Sequence, residues 1–249
     1  MDKEQVWKAK RLGCISASEL NDLFSRSGKV TEGNMDYIRK KRFHRKHKFE
    51  LPVNGRALEI GKEMEHDAVE WVRANYPSLE LVYSQDLEEI PFWRVDWANF
   101  GASPDCFTSD ESIVVEIKNC VGNDTVYFFA DEYTSEDVKR KEVVKEHGNQ
   151  IVGQFLSNNK VQEIWLVKYI YQRDDIMEDL DSPDAPWRGI VFKFKREDFD
   201  LEAVKDRIIL FDKFIDSKYD PEKLKEFFVI CDDNESKSKK NKRKCLPTD

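Results

Sequence analysis

The order in which helical and extended segments alternate is the sequence feature that most constrains this fold. Amphipathic and β-rich patterns divide the chain into helices, strands, one long helix, further strands and closing helices. The predicted helices cover residues 31–47, 56–76, 136–156, 201–215 and 221–228, and the β-rich segments lie within 79–118, 163–171 and 189–195. This order predicts an α/β or α+β domain in which helices cover a central mixed sheet.

The chain is long enough to bury a substantial core. It has 249 residues, 40% of them hydrophobic, and this length favours one large domain. We predict a single domain over residues 1–230 and a basic, disordered tail over 231–249. No apolar run approaches the roughly 20 residues that cross a bilayer, and no signal peptide is visible. We therefore expect an intracellular protein, located in the cytoplasm or in the nucleus of a eukaryotic host.

The distribution of charge says more than the net charge of −8. Basic residues are in excess over residues 1–48 and in the tail, whereas the segment between them is strongly acidic. A basic region on an acidic body can attract a polyanion locally while the body stays soluble. Solvated surface charge accounts for the same distribution. The five cysteines show no C-x-x-C spacing, so they do not indicate a zinc or iron–sulfur site.

The stretch GASPDCFTSDESIVVEIKNC, residues 101–120, contains the first candidate site residues. Alternate side chains of a strand share a face, so Glu116 and Lys118 lie together, and a hairpin at TSDES would return Asp105 beside Glu116. Two carboxylates supply the oxygen ligands that Mg²⁺ prefers, and Lys118 could position or deprotonate a water nucleophile. The E-x-K pattern alone is also typical of an ordinary cross-strand ion pair.

A third carboxylate lies on an otherwise apolar helix face. Spacings of three and four residues place Glu65 on the same face as Leu58, Gly61, Ala68 and Val72. A buried carboxylate is costly without a cation partner, so Glu65 should face a metal ion, a lysine or an arginine. A structural salt bridge would satisfy the same requirement.

The N-terminal segment KRLGCISASEL combines groups that suit a phosphate. Ser16 followed by Glu19 is a capping-box pattern that predicts the start of a helix. Arg11 precedes that helix, and Ser16 and Ser18 lie at its start. A guanidinium, two hydroxyls and exposed N–H groups form a suitable phosphate cradle, although Ser16 can equally be a plain helix cap.

Four blocks of the sequence together resemble the lambda-exonuclease/YqaJ family of the PD-(D/E)XK nuclease superfamily. The resemblance spans residues 7–156 and rests on WKAKRLGCISASEL, on ALEIGKEMEHDA, on SPDCF followed by VEIK, and on GNQIVGQFL. It implies a PD-(D/E)XK restriction-endonuclease-like core with a central mixed sheet, acting on duplex DNA ends. Beyond Leu156 only generic strands and helices match.

The resemblance also implies roles for individual residues and partners. Lys118 would orient the attacking water, and Gln150 would help to hold that water or Lys118. Mg²⁺, replaceable by Mn²⁺, would be bound by Asp105, Glu116 and the Ile117 carbonyl, with Glu65 completing or supporting the site. Arg11, Ser16 and Ser18 would hold the 5′-terminal phosphate and set a 5′→3′ direction. Relatives form toroidal trimers and act with a single-strand annealing protein in phage or viral recombination.

The sequence departs from the family pattern after Lys118. The family often continues with C-P or T-P and a basic residue, whereas this chain reads NCVGND, with no arginine before Lys139. Hydrolysis of DNA is therefore more firmly indicated than recognition of the 5′ end. Two other functions stay open, a structure-specific or restriction-like endonuclease on the same fold and a non-catalytic protein that binds DNA ends. The basic helix of residues 31–47 could line the DNA path.

Overall fold

The structure, a computed structural model, describes residues 2–23, 31–51, 56–120, 123–170 and 186–220. Its α-helices are α1 Lys3–Arg11, α2 Leu20–Leu23, α3 Glu32–His47, α4 Arg56–Asn75, α5 Asn123–Ala130, α6 Glu136–Ser157 and α7 Leu201–Asp216. Its strands are β1 Ile15–Ser16, β2 Leu81–Tyr83, β3 Trp93–Arg94, β4 Phe100–Ala102, β5 Cys106–Thr108, β6 Ile113–Cys120, β7 Glu163–Ile170 and β8 Gly189–Lys195. Among these described helices, none is long and apolar enough to cross a membrane.

The larger sheet is mixed, as the sequence predicts. Its strand order is β2-β5-β6-β7-β8, with β6 and β7 parallel and the other neighbours antiparallel. A parallel pair requires a crossover connection, and α5 and α6 lie in the segment that joins β6 to β7. A smaller sheet has the order β1-β4-β3, with β1 parallel to β4.

The two faces of β6 pack against different helices. Val114 belongs to an apolar cluster with Ile151 and Phe155 of α6. Val115 and Ile117 belong to a second cluster that contains Ala68 and Val72 of α4, together with other residues. The predicted alternation along IVVEIK is therefore confirmed, and the face with Val114 also carries Glu116 and Lys118.

The long helices of the sequence analysis are confirmed at α3, α4, α6 and α7. The segment ISASEL differs from the prediction, because it forms the short strand β1 and a 3-10 turn at Ala17–Glu19 before α2 begins. Arg11 lies in the last turn of α1, a helix that was not predicted. The prediction of a helix at 221–228 and of a tail at 231–249 falls outside the described residues.

Much of the basic character of α3 is used inside the protein. Arg42 donates to the Phe214 and Ile215 carbonyl oxygens at 2.9 and 3.0 Å. Arg45 pairs with Asp212 at 2.5 Å and also with Asp216 of α7. These arginines stabilise the packing of α3 against α7. Any contact of α3 with DNA would therefore involve its other basic residues.

Candidate active site

The hairpin between β5 and β6 brings Asp105 to Glu116, as the sequence predicts. Cys106 pairs with Val115 in antiparallel register, and the Ile117 N–H donates to Asp105 Oδ2 at 2.8 Å. The N–H and C=O groups of a strand residue point to the same side. The Ile117 carbonyl oxygen is therefore directed towards the Asp105 side of β6, where the implied ligand role requires it.

Glu116 is a buried carboxylate that accepts from several side chains. Its exposure is 2%, and Lys118 Nζ donates to its Oε1 atom at 2.8 Å. Gln150 Nε2 donates to the same oxygen, and Gln154 Nε2 donates to Oε2 at 2.9 Å. The E-x-K pattern therefore forms an ion pair, and that pair lies inside a larger polar cluster.

Sequence reasoning identified Gln150 but missed Gln154. The two residues are four apart on α6, so they occupy the same face of the helix. That spacing within GNQIVGQFL is a signal that could have identified Gln154 as a second donor to the same carboxylate.

Asp105 carries a carboxylate in surroundings that oppose its charge. Burial raises the pKa of Asp105 well above its ordinary value, and the carboxylates of Glu116 and Glu65 raise it further. Burial by itself would lower the pKa of Lys118, but Glu116 and Asp105 outweigh it, and the pKa of Lys118 lies above its ordinary value. The Lys118 ammonium is therefore charged at neutral pH and offsets part of the repulsion.

Glu65 reaches the same region from α4. Tyr83 Oη donates to Glu65 Oε1 at 3.1 Å, and Ala68 and Val72 on its helix face are fully buried. The Leu58 side chain lies outside the described residues. The predicted apolar face around Glu65 is therefore confirmed for its C-terminal half, and the carboxylate lies close enough to raise the pKa of Asp105.

A single cleft of about 800 Å³ contains all the candidate side chains. It is lined by Asp105, Glu116, Glu65 and Lys118, and also by Arg11, Ser16, Ser18 and Gln150. Residues from α1, the 3-10 turn, α4, β6 and α6 therefore contribute to one site.

The hydrogen bonds around Arg11 show which polar groups are used within the protein and which could bind an anion. The guanidinium lies 4.2 Å from the Trp7 ring and donates to Ser16 Oγ at 3.2 Å. The Ser16 hydroxyl in turn donates to Glu19 Oε2 at 2.8 Å, and the Ser16 N–H donates to the same oxygen at 3.1 Å, so the capping box that the sequence predicts is present. A hydroxyl carries one hydrogen, so Ser16 accepts in its 3.2 Å contact with Ser18 Oγ. Arg11 therefore keeps donors for an anion, whereas the exposed Ser18 would have to turn its hydrogen away from Ser16.

Glu19 is held charged below this pocket. Burial by itself would raise the pKa of Glu19, but Lys41 and the hydrogen bond from Ser16 lower it to about 2. Lys41 Nζ lies 2.8 Å from Glu19 Oε2 and also donates to the Cys14 carbonyl at 2.6 Å. The ammonium of Lys41 thus offsets a carboxylate that would otherwise oppose an anion at Arg11.

The donor atoms at the centre of the cleft suit a hard divalent cation. Among the described residues, no three His, Cys, Asp or Glu side chains converge as a ready-made metal-binding group. Mg²⁺ does not require one, because it binds through one or two carboxylates and keeps several waters. Asp105, Glu116 and the Ile117 carbonyl would hold the ion, with Glu65 nearby. Such an ion would relieve the repulsion that raises the pKa of Asp105.

The departure from the family pattern after Lys118 has a structural counterpart. Lys139, the next arginine or lysine in the sequence, is buried and donates to the Phe129 and Asp131 carbonyl oxygens at 2.7 and 2.8 Å. It therefore stabilises the end of α5. Lys168 on β7 lines the cleft instead. Sequence reasoning missed it because it reads only as a polar residue within an apolar strand.

Comparison by sequence identifies no relative. No family model matches the chain, and a search of curated proteins finds no match.

Comparison by structure does find proteins of similar fold. The alkaline exonuclease LHK-Exo from Laribacter hongkongensis matches with a TM-score of 0.62 and 18% identity, over 91% of this chain and 99% of that chain. LHK-Exo in complex with dAMP matches with the same score and coverage at 20% identity. A phage-related exonuclease from Haemophilus somnus 129PT matches with a TM-score of 0.60 and 13% identity, over 82% and 93% of the two chains. This chain therefore has the fold of these exonucleases, as the sequence resemblance implied.

Proposed function

We propose that this protein is a Mg²⁺-dependent exonuclease that hydrolyses phosphodiester bonds from the ends of duplex DNA in the 5′→3′ direction. The observation that carries the proposal is the convergence of Asp105, Glu116 and Lys118, joined by the 2.8 Å contacts from Ile117 N to Asp105 and from Lys118 to Glu116. The shared fold with exonucleases supports it. LHK-Exo has been crystallised with dAMP, a nucleoside monophosphate of the kind that stepwise hydrolysis of DNA releases.

The metal would contribute the chemistry that the side chains cannot supply. When bound, Mg²⁺ polarises a phosphoryl oxygen and lowers the pKa of a bound water. The protein's own residues prepare the site for it. Gln150 and Gln154 hold the Glu116 carboxylate in one orientation through both of its oxygens, and the Ile117 N–H does the same for Asp105.

Lys118 acts as a charged donor in this proposal. Its raised pKa keeps the ammonium protonated, so it positions the attacking water and offsets the negative charge that develops on the phosphoryl group. Electrostatic stabilisation of this kind is often the largest catalytic contribution of a side chain.

The pocket at Arg11 would set the direction of degradation. Arg11 and Ser18 would bind a 5′-terminal phosphate, while the next phosphodiester lies at the carboxylates of the same cleft. Ser16 supports this pocket by fixing Arg11 and Glu19. From the family resemblance we also propose a toroidal trimer and a single-strand annealing partner, acting in phage or viral recombination.

The decisive experiment uses labelled duplexes that carry or lack a 5′-phosphate, incubated with Mg²⁺ or with EDTA. We expect EDTA-sensitive release of mononucleotides, faster from the phosphorylated end. Absence of any EDTA-sensitive product would refute the nuclease. Equal rates from both ends would remove the phosphate-binding role of Arg11, and cutting of covalently closed circles would show an endonuclease.

A matched pair of lysine variants tests the catalytic centre. Lys118→Met should lower the rate of nucleotide release about 100-fold or more, because it removes a charged group at the reacting phosphate. Lys145→Met is the control, since Lys145 forms an exposed ion pair with Glu142 on α6. Unchanged Mg²⁺-dependent degradation by Lys118→Met would contradict the assignment and favour a site elsewhere.

A further inference from the structure

Lys168 is a buried cation in the cleft and has no role in the reaction proposed above. It is 5% exposed, lies on β7, and lines the cleft together with Asn119 and Thr125. It is the direct register partner of Lys118 on the neighbouring parallel strand β6. The two lysines therefore lie side by side on the same face of the sheet, about 4.8 Å apart along the hydrogen-bonding direction.

The ammonium of Lys168 is held from several sides. Its Nζ atom donates to Glu146 Oε2 at 3.1 Å and lies 3.0 Å from His147 Nε2. The Phe129 ring centroid is 5.0 Å away. An ammonium group can only donate, so His147 accepts through Nε2 and is neutral. Consistent with this, burial, followed by Lys168 and Lys118, lowers the pKa of His147 to about 3.

This arrangement leaves the ammonium able to bind a ligand. An ammonium carries three hydrogens, and the hydrogen bonds made within the described part of the chain involve Glu146 and His147. The Glu146 side chain is 38% exposed, so water screens its charge, whereas the Lys168 side chain is 5% exposed. A fixed, poorly hydrated cation facing a cleft is suited to an anion.

The other cations of the cleft already have roles. Among the described residues that line it, the arginine and lysine side chains are Arg11, Lys118 and Lys168. Arg11 lies beside β1 of the small sheet, and Lys118 is bound to Glu116. Lys168 lies on β7, on the other side of β6 from β5, the strand that follows Asp105.

We propose that Lys168 binds the phosphate that lies one nucleotide to the 3′ side of the scissile phosphate. This inference rests on the proposed function and deepens it. A strand whose terminal phosphate lies at Arg11 and whose scissile phosphate lies at Lys118 continues towards β7, where Lys168 meets its next phosphate. His147 is a positioning residue for this ammonium, and the Glu146 carboxylate competes with the phosphate for it.

The contact can be tested by neutralising the partner phosphate. Two 5′-phosphorylated duplexes are compared, in which the second internucleotide linkage is either an ordinary phosphodiester or an uncharged methylphosphonate, while the first linkage is ordinary in both. Release of the first nucleotide is measured in single turnover with wild-type protein and with Lys168→Met. A charge-assisted hydrogen bond corresponds to about a 10-fold effect or more.

We expect the effects of Lys168→Met and of the methylphosphonate to be coupled, as in a double-mutant cycle. The methylphosphonate should slow the wild type about 10-fold, Lys168→Met should lose a similar factor on the ordinary duplex, and the variant should be insensitive to the methylphosphonate. The proposal would be overturned if the effects of the substitution and of the methylphosphonate on the release rate multiplied independently. It would also be overturned if Lys168→Met slowed release by the same factor on both duplexes. Lys145→Met, an exposed lysine that is also paired with a glutamate, should behave as wild type on both duplexes.

A second variant keeps the test valid if Lys168→Met fails to fold. Glu146→Gln removes the carboxylate that competes for the ammonium, so it should speed release from the ordinary duplex about threefold and increase its sensitivity to the methylphosphonate. A purely structural Glu146–Lys168 pair predicts the opposite sign, and a slower variant with unchanged sensitivity would overturn the proposal.

Equilibrium binding separates this proposal from the proposed function. Fluorescence anisotropy with Ca²⁺ in place of Mg²⁺ measures the affinities of the wild type and of Lys168→Met for the two duplexes without hydrolysis. Coupling in binding without nucleotide release would support the Lys168 contact and refute the nuclease. Nucleotide release without coupling would refute the contact alone. Absence of both release and binding would refute both.

Discussion

At the scale of single residues, the amide of Gln154 shows how the cleft is arranged around Glu116. Its Nε2 atom donates to Glu116 Oε2 at 2.9 Å, while its Oε1 atom is buried without a hydrogen-bond partner among the described residues. A buried acceptor without a partner costs about 1–3 kcal/mol. The orientation of this amide therefore favours the carboxylate at the expense of the fold.

Replacement of Gln154 by leucine should separate activity from stability. Gln154→Leu removes a donor to Glu116 and to the Ser103 carbonyl, at 2.9 and 3.3 Å, and also removes the unpartnered oxygen. These effects oppose each other, so we expect the free energy of unfolding to change by no more than about 1 kcal/mol. Nucleotide release should fall at least about 10-fold, because Glu116 loses its hold at Oε2. Parallel urea unfolding and single-turnover assays check this, with the exposed Gln162→Leu as control. A variant that is active, or one destabilised by several kcal/mol, would contradict the argument.

Residues with a local sequence signal could be predicted, and those defined by distant contacts could not. Asp105, Glu116 and Lys118 lie in one hairpin, where strand alternation and a short turn determine their proximity. Lys168 comes 50 residues after Lys118, and only the parallel pairing of β6 with β7 brings the two together. Nothing in the strand EIWLVKYI indicates that pairing in advance.

At the scale of elements, the site depends on a close approach between α6 and the 3-10 turn at Ala17–Glu19. Gly153 of α6 faces this turn, and a Cβ atom built on it would lie 2.6 Å from the Ala17 Cβ and 2.9 Å from the Ala17 Cα. The glycine therefore lets the turn beside Arg11 pack directly against the helix that carries Gln150 and Gln154. The phosphate pocket and the carboxylates are joined through this contact.

An added methyl group at Gly153 should force these elements apart. We expect Gly153→Ala to lower the free energy of unfolding by about 1–3 kcal/mol, as overpacking does, despite the better helix propensity of alanine. Gly33→Ala in α3 is the matched control, because the nearest atom to its added Cβ is Thr31 Oγ1 at 3.7 Å. That control should be neutral or stabilised by up to about 1 kcal/mol. Urea unfolding of both variants checks the difference, and equal stabilities would disprove the packing argument.

Length and periodicity explain which elements the sequence predicted. Helices α3, α4, α6 and α7 span 16 to 22 residues, long enough for an apolar stripe to recur over several turns. The segment at Ile15–Glu19 is too short for periodicity, and its capping box is present in a 3-10 turn. Helix α1 has nine residues, of which none is fully buried and only Val6 and Trp7 are large and apolar, too few for an apolar stripe to recur.

At the scale of the whole molecule, the fold accommodates buried carboxylates whose charges Lys118 offsets only in part. Asp105 lies between the small sheet and the large one, three residues after the end of β4 and directly before β5. Burial, Glu116 and Glu65 raise its pKa above the ordinary value. Its contribution is therefore most favourable at a pH below that ordinary value, and stability is lost as the pH rises towards the folded-state pKa.

This pH dependence predicts that Asp105→Asn is more stable than the wild type without Mg²⁺, and that Mg²⁺ reverses this order. In Mg²⁺-free buffer at neutral pH, urea unfolding should show Asp105→Asn to be more stable than the wild type by about 1 kcal/mol, because the buried charge and its repulsion by Glu116 and Glu65 are removed. A ligand that binds only the folded state stabilises it by about 2.7 kcal/mol at 100 times its Kd, so saturating Mg²⁺ should stabilise the wild type and leave the variant nearly unchanged. Asp96→Asn, at an exposed position, should respond to Mg²⁺ as the wild type does. If Mg²⁺ stabilised Asp105→Asn as much as the wild type, the ion would bind elsewhere. If the variant were less stable without Mg²⁺, burial and repulsion of the Asp105 charge would not dominate the stability of this site.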